Sequence, residues 1–169
     1  EVLNLMGGSN IPFPELVEGE ASFEATSIGH PLLPQATCVR NDVAINGQTR
    51  VLLFNNPHNP TGRLFDQSEL ETIAGLAQDR GLVVISDEVW EHVVFDGRRH
   101  VPLASLPGMA ERTVKVGSAG KIFSMTGWKV GWIVAPEPWA EPIAKAHQFV
   151  TFTTPPNLQA GAAYGLGKA

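Results

Sequence analysis

Residues 117–131 read GSAGKIFSMTGWKVG, and the fold assignment turns on what this stretch is. It holds Lys121 near its centre, hydroxyls at Ser118, Ser124 and Thr126, a second amine at Lys129, and no acid. Lys121 lies three residues beyond Ser118 and eight before Lys129. Glycines at 117, 120, 127 and 131 let backbone and ligand approach closely, as only a residue without Cβ permits. A lysine in such a setting is a candidate reactive amine. A phosphate-binding P-loop is excluded as the alternative, because that pattern needs Gly at 115 and Ser or Thr at 122, where the chain has Lys115 and Ile122. No G-x-G-x-x-G follows a strand either, so dinucleotide binding has no support.

Outward from this stretch the elements are clean. Thr113–Val116 reads as a strand leading directly into it, and Val130–Ala135 as another apolar run leaving it. Upstream, Leu82–Ile85 is a buried strand ending in Ser86, Asp87 and Glu88. Before it, Asp66, Gln67, Ser68 and Glu69 have the form of a capping box. Leu70, Ile73, Ala74 and Ala77 follow at helical spacing, and Gly81 stops the helix. Val51–Phe54 is a further short strand, closed by Asn55, Asn56 and Pro57. Residues 96–112 hold turns and one short helix. Trp139, Ile143, Ala146 and Val150 share a face, which predicts an amphipathic helix over 138–150. Pro155 and Pro156 punctuate the chain before a final helix from about Asn157. Strands alternating with helices predict an α/β fold, a mostly parallel sheet flanked by helices. Residues 1–49 differ: they are rich in turn formers and lack periodicity, so they form an atypical N-terminal segment beside a domain portion at 50–169.

Composition narrows the function. At 169 residues, 43% hydrophobic and 17% charged, the chain is one globular domain with a real core. The net charge is −5 and the twelve Lys and Arg are scattered, so neither nucleic acid nor an anionic membrane is an expected partner. No apolar run reaches the ~20 residues of a membrane span, and no signal peptide opens the chain. The single cysteine, Cys38, is read as an inert thiol and suits a reducing compartment, so a cytoplasmic location is expected. The chain opens on Glu1 rather than Met, which is read as a processed or partial product.

Ligands of open α/β sheets sit at the carboxyl ends of strands, so Asn55–Gly62, Asp87 with Glu88, and Ser118–Lys121 are the candidates. NNPHNPTG at 55–62, SDEVWEHVVFDG at 86–97 and SAGKIFSMTGWKVGW at 118–132 resemble the three signature blocks of fold-type I, pyridoxal-phosphate-dependent aminotransferases of class I/II, in the same order and at similar intervals. The wording is similar to the branch of kynurenine, methionine and succinyldiaminopimelate aminotransferases. The resemblance implies pyridoxal 5'-phosphate as cofactor, an amino acid and a 2-oxo acid as substrates, and a homodimer. Lys121 would form a Schiff base with the cofactor's aldehyde and later move the substrate's α-proton. Asp87 would pair with the pyridine nitrogen, and Asn59 with the ring's 3-oxygen, its bond to Pro60 being the cis peptide often seen there. Ser118 and Lys129 would bind the phosphate. Trp90 stands where the family usually has tyrosine; its indole N–H either donates to the 3-oxygen or the ring packs in the core.

Other residues are read as structural: His58, His92, and the core or interface residues Trp128 and Trp132. His30, His100 and His147 lack metal-ligand spacing. The family's glycine-containing phosphate loop and its ring-stacking aromatic find no match in 1–49, where Asn4–Pro14 only weakly echoes its N-terminal arm; its small domain with a carboxylate-binding arginine would follow residue 169. The expectation is therefore a central part of the large domain, its start altered or internally deleted, that in isolation binds the cofactor weakly or not at all and has little transaminase activity. Two other functions are carried: a carbon–sulfur β-lyase using the same cofactor, and a truncated remnant acting as an interaction piece.

Overall fold

The computed structural model describes residues 2–3, 45 and 47–168. Cys38, His30 and the Asn4–Pro14 stretch lie outside the described residues.

Five strands form one sheet in the order β1-β5-β4-β3-β2, with β1 at Val2–Leu3, β2 at Val51–Asn55, β3 at Val83–Asp87, β4 at Thr113–Ser118 and β5 at Gly131–Val134. The central trio β2, β3 and β4 is parallel, as the alternation of apolar runs and crossovers predicts. β5 runs antiparallel to β4, and β1 antiparallel to β5. The reason lies in the link from Ser118 to Gly131. It carries only the short helix α2 (Ala119–Ile122) and a 3-10 turn (Thr126–Trp128), which turn the chain back at the same sheet edge. A parallel return would need a crossover long enough to reach the opposite end.

Helix α1 (Gln67–Asp79) follows the predicted box: Asp66 accepts from the Glu69 N–H at 3.0 Å, and Glu69 accepts from the Asp66 N–H at 2.9 Å. Leu70, Ile73, Ala74 and Ala77 are buried against Leu52, Phe54 and Val84 of the sheet, with Leu103 and Met109 closing the cluster. Phe65 meets Phe54 edge to face at 5.0 Å. Burying a leucine of this kind fully stabilises by roughly 1.5–3 kcal/mol. Gly81 ends the element with φ +63°, a conformation that costs glycine nothing.

The other sheet face carries helix α3 (Glu137–Val150). The predicted helix exists, but its inward face is not the one expected. Ala140 is buried with Val114, Ile133 and Ala135, and Ile143 packs beside it, while Trp139 and Val150 are 41% and 49% exposed. The helix instead approaches the sheet through its small alanine, which allows close contact with the β-branched residues of β4 and β5. Helix α4 (Pro156–Leu166) then covers the α2 region: a Cβ on Gly161 would lie 2.9 Å from the Trp128 ring, and one on Gly165 2.9 Å from the Phe123 ring.

Candidate active site

Parallel register sets the site. Asn55 is the Cα partner of Asp87, and Asp87 is the partner of Val116, so β2, β3 and β4 end at one edge. The groups that follow each strand therefore face a common space.

Asp87 ends β3, and strand alternation sends it and Glu88 to opposite faces. Its carboxylate accepts from the Val89 N–H at 3.3 Å. Burial pushes the Asp87 carboxyl above its usual range; the Val89 bond opposes this, neighbouring Glu88 adds to it, and the Lys121 charge draws it back. Such a group gains from a cation placed against it.

Lys121 sits in α2, with its Nζ 4.7 Å from the centre of the Trp90 ring. Trp90 in turn lines a cavity of about 310 Å³ together with Asn59, His58, Val93, Phe95 and Arg98. Neither Asp87 nor Lys121 lines that cavity; Lys121 is linked to it through Trp90, and Asp87 is linked to the Asn59 loop through Asn55. The Asn59–Pro60 bond is cis, as the resemblance implied, and so is Asn56–Pro57.

Ser118 stands at the N-cap of α2, yet its hydroxyl makes no capping hydrogen bond. Lys129 holds a left-handed conformation at φ 55°. The Ala119 N–H donates to the Val130 carbonyl at 3.1 Å, and Ser118 pairs with Gly131, so the Ser118 and Lys129 segments lie side by side. Among the described residues neither Lys121 nor Lys129 is in an ion pair. A hydroxyl not used for capping and an ammonium without a counter-ion suit a phosphate. A half-buried carboxylate suits a protonated ring nitrogen. The chemistry of these donors is therefore compatible with pyridoxal 5'-phosphate.

The remaining candidates take structural places. His58 is within 2.8 Å of the Thr61 hydroxyl, a contact inside its own loop. His92 is exposed. Trp132 packs with Ala119, Val130 and Ala162, while Trp128 is 41% exposed.

Two features lie beyond what the sequence conveyed, although Asn55 and Glu88 both stood among its strand-end candidates. One is Asn55, which bonds to both the Asn59 N–H and the Asp87 carbonyl. The other is a buried charge cluster behind Asp87. Glu88, 1% exposed, accepts from Ser86 at 2.8 Å and from the Leu103 N–H at 3.1 Å, and contacts His100 at 2.8 Å and Lys115 at 3.5 Å. Burial acts to raise its pKa, but the bonds to His100 and Ser86 and the nearby positive charges hold it below the usual carboxylate range. Glu88, Glu91 and His100 converge closely enough to suggest a metal. Lys115, which pairs with both glutamates, already supplies the positive charge there. In the sequence, strand-end position made Glu88 a candidate, and alternation sets it on the α1 side of the sheet, away from Asp87.

An amine, a half-buried carboxylate and an amide at three successive parallel strand ends define a strand-end ligand site of an α/β protein. Comparison with known proteins gives the family. Residues 35–168 match the family model for aminotransferase class I and II. Human kynurenine–oxoglutarate transaminase 1 is 47% identical over 116 residues, 69% of this chain and 28% of that protein. The counterpart from Dictyostelium discoideum is 46% identical over 125 residues, 73% of this chain and 29% of its own. Among solved structures, N-succinyldiaminopimelate aminotransferase from Mycobacterium tuberculosis superposes with a TM-score of 0.68 at 45% identity, over 71% of this chain and 32% of that one. Aromatic aminotransferase from Pyrococcus horikoshii gives 0.70 at 40%, over 72% and 33%.

The chain belongs to the class I and II aminotransferases, a family of pyridoxal 5'-phosphate enzymes. It spans under a third of the length of the curated relatives named here.

Proposed function

We propose that this chain carries the cofactor-binding and proton-moving half of a transaminase that passes an amino group between an amino acid and a 2-oxo acid. The observation that carries the reading is the meeting of Lys121, Asp87 and Asn59 at the ends of three parallel strands, with Lys121 over Trp90.

Pyridoxal 5'-phosphate, when bound, supplies a ring that takes up the electron pair left as the α-proton departs. The chain's own residues do the rest. Lys121 Nζ would hold the cofactor at its aldehyde and, when substrate takes that place, would accept the substrate's α-proton and hold it. Asp87 keeps the ring nitrogen protonated, which its buried carboxylate favours because a cation offsets the cost of its charge. Asn59 and the Trp90 indole orient the 3-oxygen side. Ser118 and Lys129 hold the phosphate, the lysine as a point charge rather than a fork.

Relatives named for kynurenine and N-succinyldiaminopimelate support substrates of that kind. The reading includes a homodimer in the cytoplasm. Exposed Phe149, Phe152 and Tyr164 support the dimer, since apolar surface of this kind is what subunits cover.

The test is borohydride trapping. The chain is incubated with excess pyridoxal 5'-phosphate, reduced, digested and mapped by mass spectrometry, with amino transfer from kynurenine to 2-oxoglutarate assayed alongside. An adduct on Lys121, absent in Lys121→Ala, is the expected result. Trapping registers weak occupancy as well as strong, so an unmodified Lys121 overturns the reading. Pyruvate release from a cysteine conjugate without an oxo acid would instead show β-elimination.

A further inference from the structure

We propose that Asn55 is a positioning residue of this site, whose single side-chain amide sets the spacing between the two groups that face the cofactor ring. The inference rests on the roles given above to Lys121, Asp87 and Asn59.

The geometry is specific. Asn55 Oδ1 accepts from the Asn59 N–H at 2.7 Å, and Asn55 Nδ2 donates to the Asp87 carbonyl at 2.9 Å. Asn55 is also the Cα partner of Asp87, at the last rung of the β2–β3 ladder. The Asn56 N–H donates to the same Asp87 carbonyl at 3.0 Å, so that oxygen is held twice from β2. Downstream, the Asn59 loop closes on itself through the Gly62 N–H to the His58 carbonyl and the His58 N–H to the Arg63 carbonyl, both at 2.8 Å. Those bonds give the loop its shape but do not join it to β3. Beside the Asn56 backbone bond, the Asn55 side chain provides that join, and among the described residues it alone ties the Asn59 N–H to Asp87.

The amide suits the task because it offers a donor and an acceptor in one rigid plane. Aspartate at 55 would lose the donor and set a carboxylate against the Asp87 carbonyl. Alanine loses both bonds, and serine is too short to span both partners. Both polar atoms of the Asn55 amide are taken up by Asn59 and Asp87, so it acts through them. Displacement of a site group by even about 1 Å can cost two orders of magnitude in rate.

The experiment compares the full chain with Asn55→Ala, Asn55→Ser, Asn59→Ala and the Asn55→Ala/Asn59→Ala double variant. The first readout is the dissociation constant for pyridoxal 5'-phosphate. The second is the pH midpoint of the bound cofactor's visible absorbance. A donor to the 3-oxygen favours its charged form, so losing or misplacing that donor moves the midpoint upward. Asn55→Ala is expected to weaken binding on the order of tenfold and to move the midpoint in the same direction as Asn59→Ala. The double variant should fall short of the sum, because both changes remove one function.

The third readout is amide hydrogen exchange of the unliganded chain, where the Asn59 N–H should be protected. This decides the matter even where a variant fails to fold: rapid exchange at Asn59 in the parent overturns the proposal. Folded Asn55 variants with the parent's dissociation constant and midpoint also overturn it, while leaving the function reading intact. A parent that gives no adduct on Lys121 overturns both.

Discussion

Lys121 Nζ lies 4.7 Å from the centre of the Trp90 ring, so the candidate Schiff-base amine rests on an aromatic face. A cation over an indole gains about 0.5–1 kcal/mol where water still reaches it. Trp90→Ala should free the amine and weaken retention of pyridoxal 5'-phosphate several-fold, whereas Trp90→Tyr, which keeps both a ring and a polar hydrogen, should stay within about threefold of the parent. Absorbance titration of the three proteins checks the order, and equal affinities for Ala and Trp would remove Trp90 from the site.

Asp87 makes stability and binding pull in opposite directions. Burial raises its pKa in the folded chain, so the folded state prefers the protonated acid. Stability from this group is full below the unfolded pKa and is lost as pH rises through the folded one. At neutral pH the buried carboxylate is therefore a cost. Asp87→Asn should raise the melting temperature of the cofactor-free chain at pH 7 and leave it nearly unchanged at acid pH. It should also weaken cofactor binding, by roughly ten- to a hundredfold for a lost charge-assisted bond. Melting curves at two pH values with a parallel titration test both halves.

Glu88 is the reverse case. Its folded pKa is depressed, so it contributes stability above the unfolded value, and that contribution is lost as pH falls through the folded one. The window lies below the ordinary glutamate value of 4.5. Unfolding free energy should hold steady near neutrality and drop in that acid range. In Glu88→Ala the drop should be smaller, from a parent level lowered by about 3–5 kcal/mol, because His100 and Lys115 are left beside a missing charge. Denaturant unfolding across pH measures this.

These contrasts show what the linear chain could and could not convey. Strand ends, the Asp66 cap and the inward residues of α1 were legible, because each is set by local periodicity and local hydrogen bonding. That Lys121, Asp87 and Asn59 stand at or just past the ends of neighbouring strands was legible too, because the strand boundaries were. The direction of β5 was not, since it depends on how tightly residues 119–130 turn. Nor was the inward face of α3, where close approach to the sheet favoured Ala140 over Trp139. Asn55 and Glu88 each act through partners more than ten residues away as well as near ones, and no spacing in the sequence marks such pairs.

Two glycines separate packing from propensity. Gly117 pairs with Trp132 across β4 and β5, and a Cβ there would lie 2.2 Å from the indole nitrogen. That contact cannot be relieved without moving Trp132, which is packed with Ala119 and Val130 beneath the Lys121 segment. Gly75 lies within α1, where a Cβ would meet nothing within 4 Å. Gly117→Ala should therefore cost about 1–3 kcal/mol through overpacking, while Gly75→Ala should gain up to about 1 kcal/mol from helix propensity. The two substitutions add the same methyl group, so opposite shifts in melting temperature isolate the effect of place. Because Gly117 immediately precedes Ser118, its variant should also bind pyridoxal 5'-phosphate less tightly, and Gly75→Ala should bind it as the parent does. A Gly117→Ala chain with parental stability and affinity would mean that Trp132 moves freely and does not hold the phosphate end of the site in place.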